Sequence, residues 1–229
     1  MCAGGINMKE PHTETGEGRR AVCVSCSNMT GSQENSISIK LCEILAKQLS
    51  GHNIESHIVD LRKYELFPCV GCGECYESRR CCCDPRFNEI YDSFTRADYL
   101  FFVSPHYAPI PSKLAVLLEK MEQITFLHWW KDNHYQSELY GIPAGIISHG
   151  GAGEWALPSY KEMVNDTIAN ALDTIQIKVI PYDDTWNTGI SMPVKKVVET
   201  DSIFPVQEYD WNVLETKIRE YAKRVLQGN

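Results

Sequence analysis

The sequence predicts a doubly wound α/β fold: a five-stranded parallel sheet with helices on both faces. Three observations carry that prediction. Short apolar, β-prone runs alternate with amphipathic helical stretches along the chain, the pattern of a parallel sheet covered on both sides. A chain of 229 residues with 43% apolar content can bury a sizeable core as one unit. No apolar run is long enough to span a bilayer, and no internal repeat breaks the alternation.

The elements follow in order. Residues 1–19 are polar and rich in Gly and Glu, which predicts a disordered lead-in. "AVCVSCS" (Ala21 to Ser27) is the first strand. "NSISIKLCEILAKQLSG" is the first helix, with Leu41, Ile44, Leu45 and Leu49 on one face and Gly51 as its stop. "IESHIVDL" is the second strand, "FNEIYDSFTRA" a helix, "YLFFVSP" a third strand buried on both faces, and "PSKLAVLLEKMEQI" the next helix. "GIPAGIISHG" makes the fourth strand, "PSYKEMVNDTIANALDTI" a helix, "QIKVIPY" the fifth strand and "YDWNVLETKIREYAKRVLQ" a closing helix. Residues 20–182 are expected to form the main domain. Residues 183–229 are expected to be a C-terminal arm, lying across the domain or a neighbouring subunit, followed by the closing helix.

Charge and cysteine usage narrow the function. A formal charge of -8 and a pI near 5.4 argue against nucleic acid or an anionic membrane surface as the main partner. The first residues lack the basic-then-apolar order of a secretory signal, so a cytoplasmic location is expected. Thiols stay reduced there, which matters because six of the ten cysteines crowd into "CVGCGECYESRRCCC" (Cys69 to Cys83). A metal centre or reactive thiols suit that setting better than a disulfide knot. Thiolates are soft ligands that select iron–sulfur clusters or zinc, and closely spaced C-x-x-C turns aim sulfurs inward. Gly71 and Gly73 ease those turns. Structural zinc sites usually draw ligands from two separated knuckles, whereas these candidates lie in one short arc, which favours iron–sulfur over zinc. Cys23 on a strand and Cys42 on a helix face read as small core hydrophobes.

In a doubly wound sheet a ligand sits outside the carboxyl ends of the strands, where strand order reverses. "SCSNMTGSQENS" (Ser25 to Ser36) follows the first strand, dense in hydroxyls and opening onto a helix. That composition suits a phosphate as well as an ordinary capped turn, although it matches neither glycine-rich nucleotide fingerprint. "SPHYAPIPS" (Ser104 to Ser112) is stiffened by prolines and carries His106 and Tyr107, a wall for a flat ring. "SHGGAGE" (Ser148 to Glu154) lets main-chain N–H groups approach a ligand closely. "FLHWWKDNHYQSELY" (Phe126 to Tyr140) is expected to be a connection. Its Trp129 and Trp130 suit a pocket cover, an oligomer contact or core packing, and His128, Asp132 and His134 form a weaker metal candidate. Asp183 and Asp184 read as a solvated turn. No acid–base triad and no paired catalytic carboxylates stand out.

These loops, with "CVGCGECYESRRC" and "FNEIYDSFTRADYLFFVSPHYAPIPSKLAVLLEKME", resemble the iron–sulfur flavoproteins, a branch of the flavodoxin-like NAD(P)H-dependent FMN reductase superfamily. The resemblance spans roughly residues 20 to 182. It implies FMN bound by the first loop through Ser25, Ser27, Asn28, Thr30, Ser32 and Ser36. Ser104, Pro105, His106 and Tyr107 are then expected at the ring edge, and Ser148, His149, Gly150, Gly151 and Glu154 on its pyrimidine side. It also implies a [4Fe-4S] cluster on Cys69, Cys72, Cys75 and Cys81, with Cys82 or Cys83 as alternative fourth ligand, in a loop at 67–86 after the second strand. The first loop departs from the family's usual form, with Cys26 where Gly is common and Met29 where Arg is common. The family's dimers or tetramers are expected here too.

Two redox centres in one chain imply a converter between electron pairs and single electrons. The leading expectation is an oxidoreductase in which FMN exchanges electrons with the cluster, supplied by NAD(P)H or a protein such as ferredoxin. Two alternatives stand beside it. One is a cluster-free NAD(P)H-dependent reductase of quinones, azo or nitro compounds. The other is an electron carrier or redox sensor that turns over no small molecule.

Overall fold

The computed structural model describes residues 18–29, 36–107, 109–198 and 206–228. Residues 1–17 of the expected lead-in, and Thr30 and Ser32 of the first loop, lie outside the described residues.

The chain runs β1 (Arg20–Ser25), α1 (Ile37–Ser50), β2 (Glu55–Asp60), a short α2 (Cys75–Ser78), α3 (Pro85–Thr95), β3 (Tyr99–Pro105), α4 (Ser112–Lys131) and β4 (Pro143–His149). After β4 come α5 (Leu157–Tyr160), a π-turn (Lys161–Asn165), α6 (Asp166–Thr174), β5 (Lys178–Val179), β6 (Ile190–Met192), β7 (Lys196–Val198), β8 (Val206–Glu208) and α7 (Trp211–Gln227). The main sheet is parallel throughout in the order β2-β1-β3-β4-β5, with β6 also paired to β4. This is the flavodoxin-like order the sequence reading expects.

Strand alternation divides the core in two. Val22, Val24, Leu100, Phe102, Ala144 and Ile146 pack with Phe87, Phe94, Leu117 and Ile168 from α3, α4 and α6. Ala21, Cys23, Phe101, Val103 and Ile147 pack on the other face with Leu41, Leu45, Ile218 and Tyr221 from α1 and α7. Because β1, β3 and β4 are covered on both faces, their side chains are apolar in continuous runs rather than alternating. Each fully buried Leu, Ile or Phe contributes about 1.5–3 kcal/mol relative to exposure.

The fifth sheet position differs from expectation. "QIKVIPY" pairs with β4 only at Lys178 and Val179, because after Ile180 N donates to Ala144 O the next donor, Tyr182 N, turns instead to Trp186 O. Asp183 then folds the chain back, its carboxylate accepting from Thr185 N at 2.9 Å and Trp186 N at 2.8 Å. That is the solvated turn its composition suggests. The chain re-enters the sheet as β6, where Ile190 and Met192 are buried and the Ser191 hydroxyl meets Ser148 Oγ at 2.6 Å. In the gap between β5 and β6, the Tyr221 hydroxyl accepts from Ile146 N at 3.1 Å and donates to Ile180 O at 2.8 Å. Residues beyond 182, expected as an arm, therefore supply a strand and a covering helix to the main fold. The arm-like part is the antiparallel β7–β8 ribbon.

The aromatic stretch is also more ordered than a connection. α4 extends through Lys131, leaving Trp129 and Trp130 exposed on its last turn. His128 donates from Nδ1 to Ile124 O at 2.8 Å, and its ring stacks on Tyr135 and packs at a tilt against Tyr76. Among the described residues it is not grouped with Asp132 and His134 around a metal-sized space.

Candidate functional site

Strand order reverses between β1 and β3, so the loops leaving their carboxyl ends diverge and open a crevice there. Cys26 N donates to Val103 O at 2.9 Å, which carries the pairing just past the strand end before the first loop departs. Ser27 Oγ accepts from Met29 N at 3.2 Å, and Asn28 Nδ2 donates to Ser112 Oγ at 2.8 Å, tying the loop to the start of α4. Ser36 caps α1, but its oxygen lies 3.5 Å from Ile39 N, a long contact that leaves the hydroxyl available.

On the next strand, Ser104 pairs with Ser148 across the ladder and Pro105 with His149. His106 N donates to His149 O at 2.9 Å, and the His106 ring packs on Tyr160 at 5.5 Å between centroids. Tyr107 is partly exposed, and its N–H is turned to Pro109 O. Ser104 Oγ is spent on Pro105 O. His149 is placed differently from a ring-facing residue. Its imidazole is buried and meets Ser38 Oγ of α1 at 2.8 Å, and loss of water holds its pKa down at about 4. Gly151 and Glu154 lie exposed at the mouth.

Three buried polar atoms at this end of the sheet have no partner among the described residues: Ser25 Oγ, Asn28 Oδ1 and His106 Nε2. Each such atom costs roughly 1–3 kcal/mol, so their concentration at one crevice fits a polar ligand such as FMN. Gly150 shows how tightly the third loop is held, since a Cβ there would lie 2.3 Å from the Tyr160 hydroxyl. That hydroxyl accepts from Ala152 N at 2.9 Å, and Tyr209 donates from the end of the β7–β8 ribbon to Gly150 O at 3.2 Å. Tyr160 and Tyr209 were outside the sequence reading of the site. No local motif marks them; only the return of the late segments over β4 brings them in.

The cysteine loop forms a second centre. Gly71 and Gly73 take φ of +66° and +78°, the left-handed turns that the C-x-G-C-x-x-C spacing requires, and Gly71 N donates to Cys69 Sγ at 3.4 Å. All six cysteines of the stretch line one cavity with Lys120, Gln123 and Ile124 of α4. Within it, the sulfurs of Cys72, Cys82 and Cys83 lie within 4.8 Å of one another. Cys72 belongs to the expected ligand set, and Cys82 and Cys83 are the alternatives to Cys81. Cys69, Cys75 and Cys81 share the cavity without joining that group. The donor chemistry fits a soft metal centre.

The supports of this loop also escaped the sequence reading. Asp84 caps α3 through Phe87 N at 3.0 Å and accepts from Phe67 N at 3.0 Å, joining the two ends of the loop. Asn88 holds both backbone groups of Cys81, and Glu119 accepts from Cys69 N at 3.1 Å. Lys120 is buried, paired with Asp84 at 2.9 Å and 3.5 Å from Cys81 Sγ. A signal for it did exist: Lys120 falls in register with Leu117, Met121 and Ile124 on the buried face of α4. Burial pushes the Cys23 thiol up to about 12 and raises those of Cys26 and Cys42 well above the ordinary thiol value, as fits inert core cysteines.

The family described as NADPH-dependent FMN reductase matches residues 26–180. No curated protein matches the chain. Among solved structures, RosB with bound 8-demethyl-8-formylriboflavin-5'-phosphate is similar at a TM-score of 0.60 and 16% identity, covering 92% of this chain and 78% of that one. The NADH:FMN oxidoreductase EMOB, apo form, is similar at 0.52 and 14%, covering 90% and 89%. FerB, a flavoenzyme NAD(P)H:(acceptor) oxidoreductase from Paracoccus denitrificans, is similar at 0.53 and 13%, covering 92% and 98%. At these identities the likeness shows the fold. Among the described residues no helix is long and apolar enough to cross a membrane.

Proposed function

The chain belongs to the NADPH-dependent FMN reductase family and is a flavin-dependent oxidoreductase, and on that premise we propose that its FMN exchanges electrons with a [4Fe-4S] cluster on the cysteine loop. The observation that carries the proposal is the single cavity lined by six cysteines beside α4. Bound at their sites, FMN supplies hydride acceptance and single-electron release, and the cluster supplies one-electron transfer.

The chain's own groups have defined tasks in this reading. Ser27, Asn28 and Ser36 present hydroxyl and amide groups to the phosphate at the start of α1, where the helix end favours an anion. Ser25 Oγ and His106 Nε2 satisfy their buried hydrogen-bonding capacity on the flavin, and His106 with Tyr107 borders its ring. Tyr160 and Tyr209 keep the 150–152 main chain in place by hydrogen bonds. His149 acts through its backbone and its bond to Ser38. The family description supports NADPH as donor, and a ferredoxin-like protein is the expected alternative source for single electrons.

Anaerobic purification with iron, sulfide, zinc and flavin analysis tests the proposal. About four irons and four sulfides per chain beside FMN are expected; a reconstituted protein that holds FMN but no iron overturns it. A second reading is favoured by one observation: the three thiols close enough to share a single ion, Cys72, Cys82 and Cys83, are exposed and number one fewer than a cubane needs. It makes the chain a cluster-free NAD(P)H-dependent reductase with zinc or free thiols in the loop. Rapid NADPH oxidation by metal-free, FMN-loaded protein distinguishes it.

A further inference from the structure

A lysine buried to 3% exposure on an apolar helix face needs a reason. Lys120 has a carboxylate partner buried to 1%, Asp84, at 2.9 Å. Taking two such charges out of water is costly, and replacing a buried ion pair by apolar groups is often neutral or stabilising. Stability alone therefore does not account for the pair.

Its position does. Asp84 Oδ2 receives both Lys120 Nζ and the amide of Phe67, where the cysteine loop begins, while Asp84 Oδ1 caps α3, where the loop ends. The same ammonium lies 3.5 Å from Cys81 Sγ. One residue of α4 thus touches the clasp that shuts the loop and a sulfur within it. The neighbouring acid on α4, Glu119, accepts from Cys69 N at 3.1 Å.

We propose that Lys120 is a positioning residue of the cysteine centre: with Asp84 it clasps the two ends of the loop shut, and it holds a fixed cation against Cys81 that favours the more reduced, more negative state of the bound cluster. The second half rests on the cluster reading above; the first does not. A cation beside a cluster sulfur stabilises added negative charge, so its loss makes reduction harder.

The test uses the full chain with Lys120→Met, Lys120→Arg, Asp84→Asn and the double variant Lys120→Met/Asp84→Asn. The double variant removes the buried unpaired carboxylate that could unfold Lys120→Met, and Asp84→Asn is its charge-matched reference. Hydrogen exchange of peptides spanning 67–87 is measured first, on metal-free reduced protein. At least tenfold faster exchange is expected at Phe67 and Phe87 in the double variant, and unchanged exchange overturns the clasp. A redox titration of the anaerobically reconstituted proteins with dithionite, followed by electron paramagnetic resonance, comes second. Relative to Asp84→Asn, from which it differs only by the loss of the ammonium, the double variant is expected to favour the oxidised cluster at least tenfold, about 59 mV for one electron, with Lys120→Arg near wild type. A cluster of unchanged potential overturns the cation role. A wild type that takes up no cluster sinks the proposed function and the cation role together, while the exchange result still decides the clasp.

Discussion

The two candidate centres are built in opposite ways. The cysteine loop comes from one stretch, Cys69 to Cys83, whose sulfurs line one cavity that is partly open to solvent. The flavin end proposed above is assembled from Ser25, Asn28, His106 and Gly150, strung over more than half the chain and brought together by the parallel sheet. One is a local motif propped from beneath by Asp84, Asn88, Glu119 and Lys120. The other is a set of buried polar groups held at strand ends. A change in the first should remove a metal and spare the fold, whereas a change in the second should move flavin affinity and stability together.

The largest expected effect tests that independence. Cys72→Ser, at the residue shared by the expected ligand set and the observed sulfur group, should lower iron content more than tenfold while flavin content stays at wild type. Parallel iron, sulfide and flavin analysis checks it. Loss of flavin along with iron would break the comparison, because the two ends would then depend on each other.

Gly150→Ala comes next. Its Cβ would fall 2.3 Å from the Tyr160 hydroxyl, so the loop or the ring must shift, at about 1–3 kcal/mol for such overpacking. FMN affinity, followed by quenching of flavin fluorescence, should fall at least tenfold with iron content unchanged.

His149 supplies a pH signature for the flavin end. Its folded pKa is lowered to about 4 by burial, against 6.5 for the free side chain. Between those values the unfolded chain binds more protons than the folded one. Stability is therefore intact above pH 6.5 and falls as pH drops toward 4, by at most about 3 kcal/mol. Urea denaturation of wild type and His149→Gln at pH 7 and pH 4.5 should show the variant losing less stability on acidification. Equal losses would mean that the imidazole is not held neutral.

The smallest effect is the sharpest test of the unpartnered atoms. Ser25→Ala removes a buried hydroxyl that has no partner among the described residues. The flavin-free protein should be as stable as wild type or slightly more so, while FMN binding weakens by about 1 kcal/mol. Thermal melts with and without FMN separate the two. A variant destabilised equally in both states would show that Ser25 serves the core.

The legible part of the site follows from the same contrast. C-x-G-C-x-x-C is readable because ligand spacing and left-handed glycines are properties of neighbouring residues, and Gly71 and Gly73 adopt the expected conformation. Ser27, Ser36, His106 and Gly150 were within reach because strand ends in a doubly wound sheet are predictable loci. Tyr160 and Tyr209 were not, since their importance comes from the late ribbon and α5 folding back onto β4. The fifth strand, cut in two and completed by Ile190–Met192, was not legible either, because the cut depends on the Tyr221 hydroxyl of a distant helix and on the chain's return after Asp183.

By itself, then, the sequence determined the layered α/β fold, the inert core cysteines and the presence of a sulfur-rich loop, because these depend on periodicity, burial preference and short-range spacing. The approach of particular sulfurs, the polar atoms at the strand ends that find no partner among the described residues, and the closing of the loop by Asp84 and Lys120 come from the folded chain alone. Those outcomes depend on distances between residues far apart in the chain, which packing of the sheet and its helices sets and local pattern does not.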